Sequence, residues 1–309
     1  MRRPIIRSLL AGAALVVPGV AAAPAMADSD AGTTGAAASA VVHQELATTT
    51  AEQRSTTTYW TAERMEAAIP ADVLVDADSG EAAAEPAVEA DIAPAAVPEN
   101  PRPEFGKVFF TLGGTDYVCS GTATSSSNGD VVTTAGHCVH EGAGGGFASQ
   151  FTFVPAYENG SAPHGQWSAS DLYTSTGWAN SGDFTVDVGF AVMNENGSGQ
   201  SLTDVVGSYP IAFDLGRGLS YTSYGYPAAS PFDGQSLFSC SGTARNDPGG
   251  SSTQGLTCDM TGGSSGGGWI TGGQLNSVNS YKYNNDPNTM YGPYFGGTAQ
   301  SVYNAAAGA

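Results

Sequence analysis

Basic residues are scarce in this chain: ten Lys and Arg stand against 29 Asp and Glu, for a formal net charge of −19. That deficit excludes nucleic acid and anionic membrane as partners, because both select basic surfaces. Cysteine is sparse as well. The four cysteines show no C-x-x-C spacing and no accompanying His/Cys cluster, so a zinc site is not expected. No other metal and no cofactor is expected. Long apolar runs are missing after residue 27, which excludes a later membrane span. The one apolar run, Ile5 to Ala23, contains Pro18 and Gly19 and is short for a bilayer. It follows Arg2, Arg3 and Arg7 and ends in Ala25-Met26-Ala27, the pattern of a secretory signal peptide cut after Ala27. The mature protein is therefore expected outside the cell and off the membrane. In that oxidising compartment four cysteines read as two disulfides.

What the chain does have is Gly, Ser, Thr and Asn on a background of Tyr and Val, the composition of a β protein with many turns. Residues 28–103 differ from the rest. They are rich in Ala, Thr, Glu and Pro and contain no cysteine. Tyr59 to Pro70 predicts a short helix capped by Thr61. Ala71 to Pro103 reads as an acidic Ala/Pro linker with too little apolar surface to offset its ordering entropy, and flexibility is expected there. Placed between a signal peptide and a compact domain, 28–103 reads as a pro-region, and 104–309 as one domain. From Phe105 onward short apolar runs alternate with turn clusters. Strands are predicted at Lys107–Leu112, Tyr117–Ala123, Asp130–Thr134, Gln150–Val154, Val186–Val192, Ser220–Tyr224, Ser236–Ser239, Gly268–Ile270 and Gln274–Asn279, with a terminal helix at Thr298–Ala306. The class is all-β, barrel or sandwich.

Three segments carry chemistry. Thr133-Thr134-Ala135-Gly136-His137-Cys138 ends a strand in a small-residue turn that presents a histidine, a general base in need of fixation. Gly262-Gly263-Ser264-Ser265-Gly266-Gly267-Gly268 flanks a serine with glycines, so successive backbone N–H groups can converge as an oxyanion hole. Phe184-Thr185-Val186-Asp187-Val188-Gly189-Phe190 starts an apolar stretch with an aspartate that burial would force into a partnership. Asp183 is its rival, in a turn-like, wet context.

Together these segments resemble the trypsin/chymotrypsin-like serine protease family, from about Phe105 to the C-terminus. T-A-G-H-C, D-V-G-F and G-S-S-G-G match that family's three motifs, in its order of His, Asp, Ser. The resemblance implies two six-stranded antiparallel β-barrels with a short C-terminal helix. It implies a monomeric, secreted serine endopeptidase acting on protein or peptide substrates. His137, Asp187 and Ser265 would be catalytic, with the N–H groups of Gly263 and Ser265 as the oxyanion hole. Ser264 is the competing nucleophile, but the G-x-S-G-G register selects Ser265. Cys119 and Cys138 take the places of the family's histidine-loop disulfide, and Cys240–Cys258 is the second pair expected. Asp259 and the run Ser277-Val278-Asn279 take the places of substrate-binding residues, and the histidine of glutamate-specific bacterial relatives is missing from that run. Ser264 also replaces the aspartate that receives the new N-terminus in digestive members, so that ion-pair switch is expected to be absent. The competing function is a catalytically silent binding or adhesion module of the same fold. Silent relatives commonly lose a triad residue, and all three are present here.

Overall fold

The computed structural model describes residues 40–71 and 96–309. The expected signal peptide and residues 72–95 of the expected linker lie outside the described residues. The described chain opens with β1 (Val41–Glu45), α1 (Thr50–Tyr59), α2 (Ala62–Ala67), β2 (Ile69–Pro70) and β3 (Val97–Pro98). Both helices start on a threonine. Thr49 and Glu52 form a reciprocal capping box, and the Thr61 hydroxyl accepts the Arg64 N–H, so α2 lies where the sequence placed a helix.

The predicted helical stretch is anchored on the barrel, and one part of the segment expected to be flexible, at Val97 and Pro98, is structured. Trp60 and Met65 bury themselves against Phe109, Val154 and Tyr157, and the Trp60 indole N–H donates to the Gln150 carbonyl at 2.5 Å. Val97 and Pro98 pair with Ser239 and Phe238, and the Glu99 N–H reaches the Leu237 carbonyl. Residues 97–99 are thus held against β11 and the residue that leads into it. The composition argument weighed only apolar burial. An edge strand is held by its backbone partners, and Val97 stays 51 % exposed while so held.

The first half is a closed barrel. β4 (Phe105–Leu112), β5 (Thr115–Thr124), β6 (Val131–Thr134), β7 (Ser149–Pro155), β8 (Trp167–Ser175) and, after α3 (Thr176–Ser181), β9 (Gly189–Met193) pair antiparallel in the ring β4-β5-β6-β9-β8-β7. Val108, Phe110, Val132, Phe153, Leu172 and Phe190 fill it. β1 lies along the end of β8 that β7 does not reach, pairing Val41 with Ser175 through Glu45 with Asp171.

After α4 (Leu202–Val206) the second half runs β10 (Ser220–Gly225), β11 (Phe238–Thr243), β12 (Arg245–Asn246), β13 (Gln254–Thr257), β14 (Gly268–Thr271), β15 (Gln274–Val278), β16 (Tyr281–Tyr283) and β17 (Asp286–Gly292). These strands form two sheets, ordered β15-β14-β10-β11-β3 and β12-β13-β17-β16. Tyr221, Leu256, Met260, Trp269 and Met290 pack between them with the Cys240–Cys258 disulfide. The helix α5 (Gly297–Ala307) returns to the first half and buries Val302 and Ala306 in its core. The architecture is the all-β chymotrypsin type with a C-terminal helix. Among the described residues no helix is long and apolar enough to cross a membrane.

Candidate active site

β6 ends at Thr134, and a single turn of 3-10 helix, Gly136–Cys138, follows. Cys138 is bonded to Cys119 on β5, which staples the turn to the barrel wall. A Cβ at Gly136 would stand 2.8 Å from an Asp187 carboxylate oxygen and 2.9 Å from the Trp178 ring, so this close approach requires glycine. A second 3-10 turn, Phe184–Val186, delivers Asp187 to the same place. The strand expected from Val186 begins only at Gly189, because Asp183 caps this turn by accepting the Thr185 N–H. The rival aspartate is a turn cap, and Asp187 is fully buried.

Asp187 holds three donors. One oxygen accepts the backbone N–H of His137 at 2.8 Å. The other accepts the His137 Nδ1–H at 2.8 Å and the Ser280 hydroxyl at 2.5 Å. These bonds satisfy a carboxylate whose burial would otherwise be costly. A carboxylate only accepts, so Nδ1 carries the imidazole proton and Nε2 is left as the basic nitrogen. Next along, the indole of Trp178 donates to the His140 carbonyl, and burial pushes the His140 imidazole below its ordinary range.

The serine loop is fixed by its carbonyls. Gly262 O accepts Ala228 N–H at 2.5 Å, and Gly263 O accepts the Ser120 hydroxyl at 2.9 Å. Ser264 O accepts Gly267 N–H at 3.0 Å and the Asn279 side-chain amide at 3.0 Å. In a planar trans peptide the N–H points away from the carbonyl. Anchoring Gly262 O and Ser264 O therefore turns the N–H groups of Gly263 and Ser265 to the opposite side of their peptides. Neither N–H meets an acceptor among the described residues. Gly266, at φ 80°, lies so close to Ala135 N and Thr134 Oγ1 that no side chain fits, which presses the loop onto the strand end that carries His137. The Ser264 hydroxyl is committed to Thr261 O at 2.8 Å, whereas the Ser265 hydroxyl makes no such bond among the described residues.

Beside Ser264 and Ser265 opens a cleft of about 500 Å³, lined by Phe232, Asp259, Met260, Tyr281, Lys282 and Met290 among others. Asp259 is part of this lining. Ser277, Val278 and Asn279 do not line the cleft; all are buried at the end of β15, and the Ser277 hydroxyl donates to Pro293 O. Asn279 is a brace. Its amide donates to Tyr224 O and Ser264 O and accepts from Ser223 Oγ and Trp269 Nε1. The cleft wall begins at Ser280, and sequence reasoning missed this serine's contact with Asp187. Nothing local distinguishes Ser280 from Ser277.

The chemistry of the donors does not fit a metal at the cluster of Cys119, His137 and Cys138: both sulfurs are spent in the disulfide and Nδ1 faces Asp187. No family model matches the chain. An extracellular metalloprotease of Bacillus subtilis (strain 168) is 32 % identical over 116 residues, 38 % of this chain and 35 % of that protein, so the match spans about a third of that relative. The protease Anisep of Arthrobacter nicotinovorans is 55 % identical with a TM-score of 0.67, covering 69 % of this chain and all of that one. The thermostable serine protease AL20, from an extremophilic microorganism, is 54 % identical with a TM-score of 0.65, over 67 % of this chain and 97 % of that one. The chain belongs to the trypsin/chymotrypsin-like family of serine endopeptidases.

Proposed function

We propose that this serine endopeptidase is exported, sheds Met1–Ala27 as a signal peptide and a following pro-region, and cleaves protein or peptide substrates as a monomer through His137, Asp187 and Ser265. Ser265 Oγ attacks the scissile carbonyl while His137 Nε2 takes its proton. The carbonyl oxygen becomes an oxyanion held by the N–H groups of Gly263 and Ser265. His137 then gives the proton to the leaving amine, and an ester to Ser265 remains. Water, deprotonated by the same nitrogen, hydrolyses the ester and restores the serine. Asp187 keeps the proton on Nδ1 and stabilises the imidazolium formed in each half.

The observation that carries this reading is the buried Asp187 carboxylate, which fixes His137 by both its backbone N–H and its Nδ1. A carboxylate placed only for stability has no need of the imidazole tautomer. Stopped-flow turnover of an activated ester substrate tests it. One equivalent of released alcohol per enzyme should precede the steady state, and Ser265→Ala should abolish that burst and lower kcat on the order of 10⁶-fold. A Ser265→Ala variant with normal burst kinetics would refute the assignment.

A further inference from the structure

The family switch that depends on a new N-terminus has no carboxylate next to Ser265, since Ser264 stands there and spends its hydroxyl on Thr261 O. The structure holds a carboxylate elsewhere that meets the chain just before β3. Asp259 Oδ1 accepts the backbone N–H of Ala96 at 2.7 Å. Among the described residues no Lys, Arg or His side chain forms an ion pair with Asp259. A carboxylate faces a neutral amide where a cation would match it.

The position is held from both sides. On one side, Val97 and Pro98 pair with β11, Glu99 N–H donates to Leu237 O, and the Ser239 hydroxyl donates to Glu99 at 2.6 Å. On the other, Asp259 follows Cys258, whose disulfide reaches Cys240 on β11. Asp259 also leads directly into Thr261 and Gly262, whose carbonyls anchor Ser264 and Ala228. Asp259 lines the cleft beside Ser265.

We propose that the active protein begins at Ala96 and that its α-ammonium group is the ion partner of Asp259, joining the N-terminus to the wall of the substrate cleft. The proposal rests on the serine-protease reading of that cleft. Hydrolysis of the peptide bond before Ala96 consumes one water, leaves a carboxylate on residue 95, and gives Ala96 an amine that is protonated at neutral pH. The hydrogen bond from a neutral amide to the carboxylate becomes one between two opposite charges, which is stronger. It orders the start of the loop that presents the Gly263 and Ser265 N–H groups. It also occupies Asp259, so the cleft does not offer this carboxylate to a basic substrate side chain.

The sequence makes the test selective, because Lys107 and Lys282 are the only lysines and Lys107 is 3 % exposed. A site-specific protease recognition sequence is placed in the full chain so that cutting leaves Ala96 first. Uncut, cut, and cut-then-acetylated proteins are compared, each as wild type and as Asp259→Asn. Reaction with a sulfonyl fluoride should be at least tenfold faster in the cut wild type than in its uncut or acetylated forms. Cut Asp259→Asn should match the acetylated wild type and lose nothing further on acetylation. The acetylation rate as a function of pH reads the ion pair without catalysis. It should place the wild-type α-amine above the ordinary range of about 7.7–8.0, and the Asp259→Asn amine within it. An α-amine that titrates alike in both proteins, or a cut wild type whose labelling rate acetylation changes less than twofold, would overturn the proposal. Absence of labelling in every form, with the amine shift intact, would instead count against the triad and leave the ion pair standing.

Discussion

Replacing Asn279 by alanine separates a brace from a substrate contact. Asn279 is fully buried and makes four side-chain hydrogen bonds, at 2.7 Å from Ser223 Oγ, 2.8 Å from Trp269 Nε1, 3.0 Å to Ser264 O and 3.1 Å to Tyr224 O. Not all four losses are equal. Ser264 O keeps the Gly267 N–H, and the Ser223 hydroxyl can rotate to another acceptor. The Trp269 indole N–H is fully buried and cannot turn, so leaving it bare costs about 1–3 kcal/mol. With a net of about 0.5–1.5 kcal/mol for each of the three remaining bonds, Asn279→Ala should lose about 2.5–7.5 kcal/mol in total. That is a large part of the roughly 5–15 kcal/mol that stabilises a domain. Urea unfolding should show the loss as a lower midpoint with an unchanged slope. Because Ser264 O loses one of its two anchors, kcat should fall as the Ser265 N–H loses its aim, while KM changes little. A stability loss below about 1 kcal/mol, together with a KM raised tenfold, would refute the reasoning and return Asn279 to the substrate.

Asp187→Asn should fold normally and lower kcat on the order of 10⁴-fold, because an amide presents the wrong hydrogen-bond pattern to Nδ1; steady-state kinetics and circular dichroism check the two halves. Replacing Cys240 and Cys258 together by serine should cost roughly 3 kcal/mol, since a disulfide with sequence separation 18 is removed; thermal unfolding measures it. Lys107 is buried against the rings of Phe109 and Tyr157, donates to Gly234 O, and is lowered by burial to about 8 from 10.5. Between those values the unfolded chain binds the extra proton, so wild-type stability should rise with pH relative to Lys107→Met, by about 3 kcal/mol across the window. Paired urea titrations at pH 7 and pH 10 check the sign.

His137, Asp187 and Ser265, the residues proposed as catalytic, stood out in the sequence because each lies in a short contiguous motif whose local backbone does the positioning. The glycines at 136 and 266 mark places where backbone meets backbone or a carboxylate. The predicted strands from Lys107 to Val154 lie within β4 to β7, save that Asp130 precedes β6, for the same local reason. β8 was missed because Trp167-Ser168-Ala169-Ser170-Asp171 mixes Ser and Asp into a strand that the barrel, not its own composition, buries. The 40–71 segment was underestimated because two large side chains, Trp60 and Met65, anchor it through contacts about 45 residues or more away in sequence. Ser280 and the brace role of Asn279 depend on a turn after β15 whose register no local signal sets. One residue of slip there exchanges wall for core.

The most direct measurement is the site of covalent labelling. The mature enzyme is treated with a sulfonyl fluoride, digested, and the modified peptide sequenced by mass spectrometry, for wild type, Ser264→Ala and Ser265→Ala. The account predicts label on Ser265 in the first two proteins and none in the third. Label on Ser264, or full labelling of the Ser265→Ala protein, would contradict it.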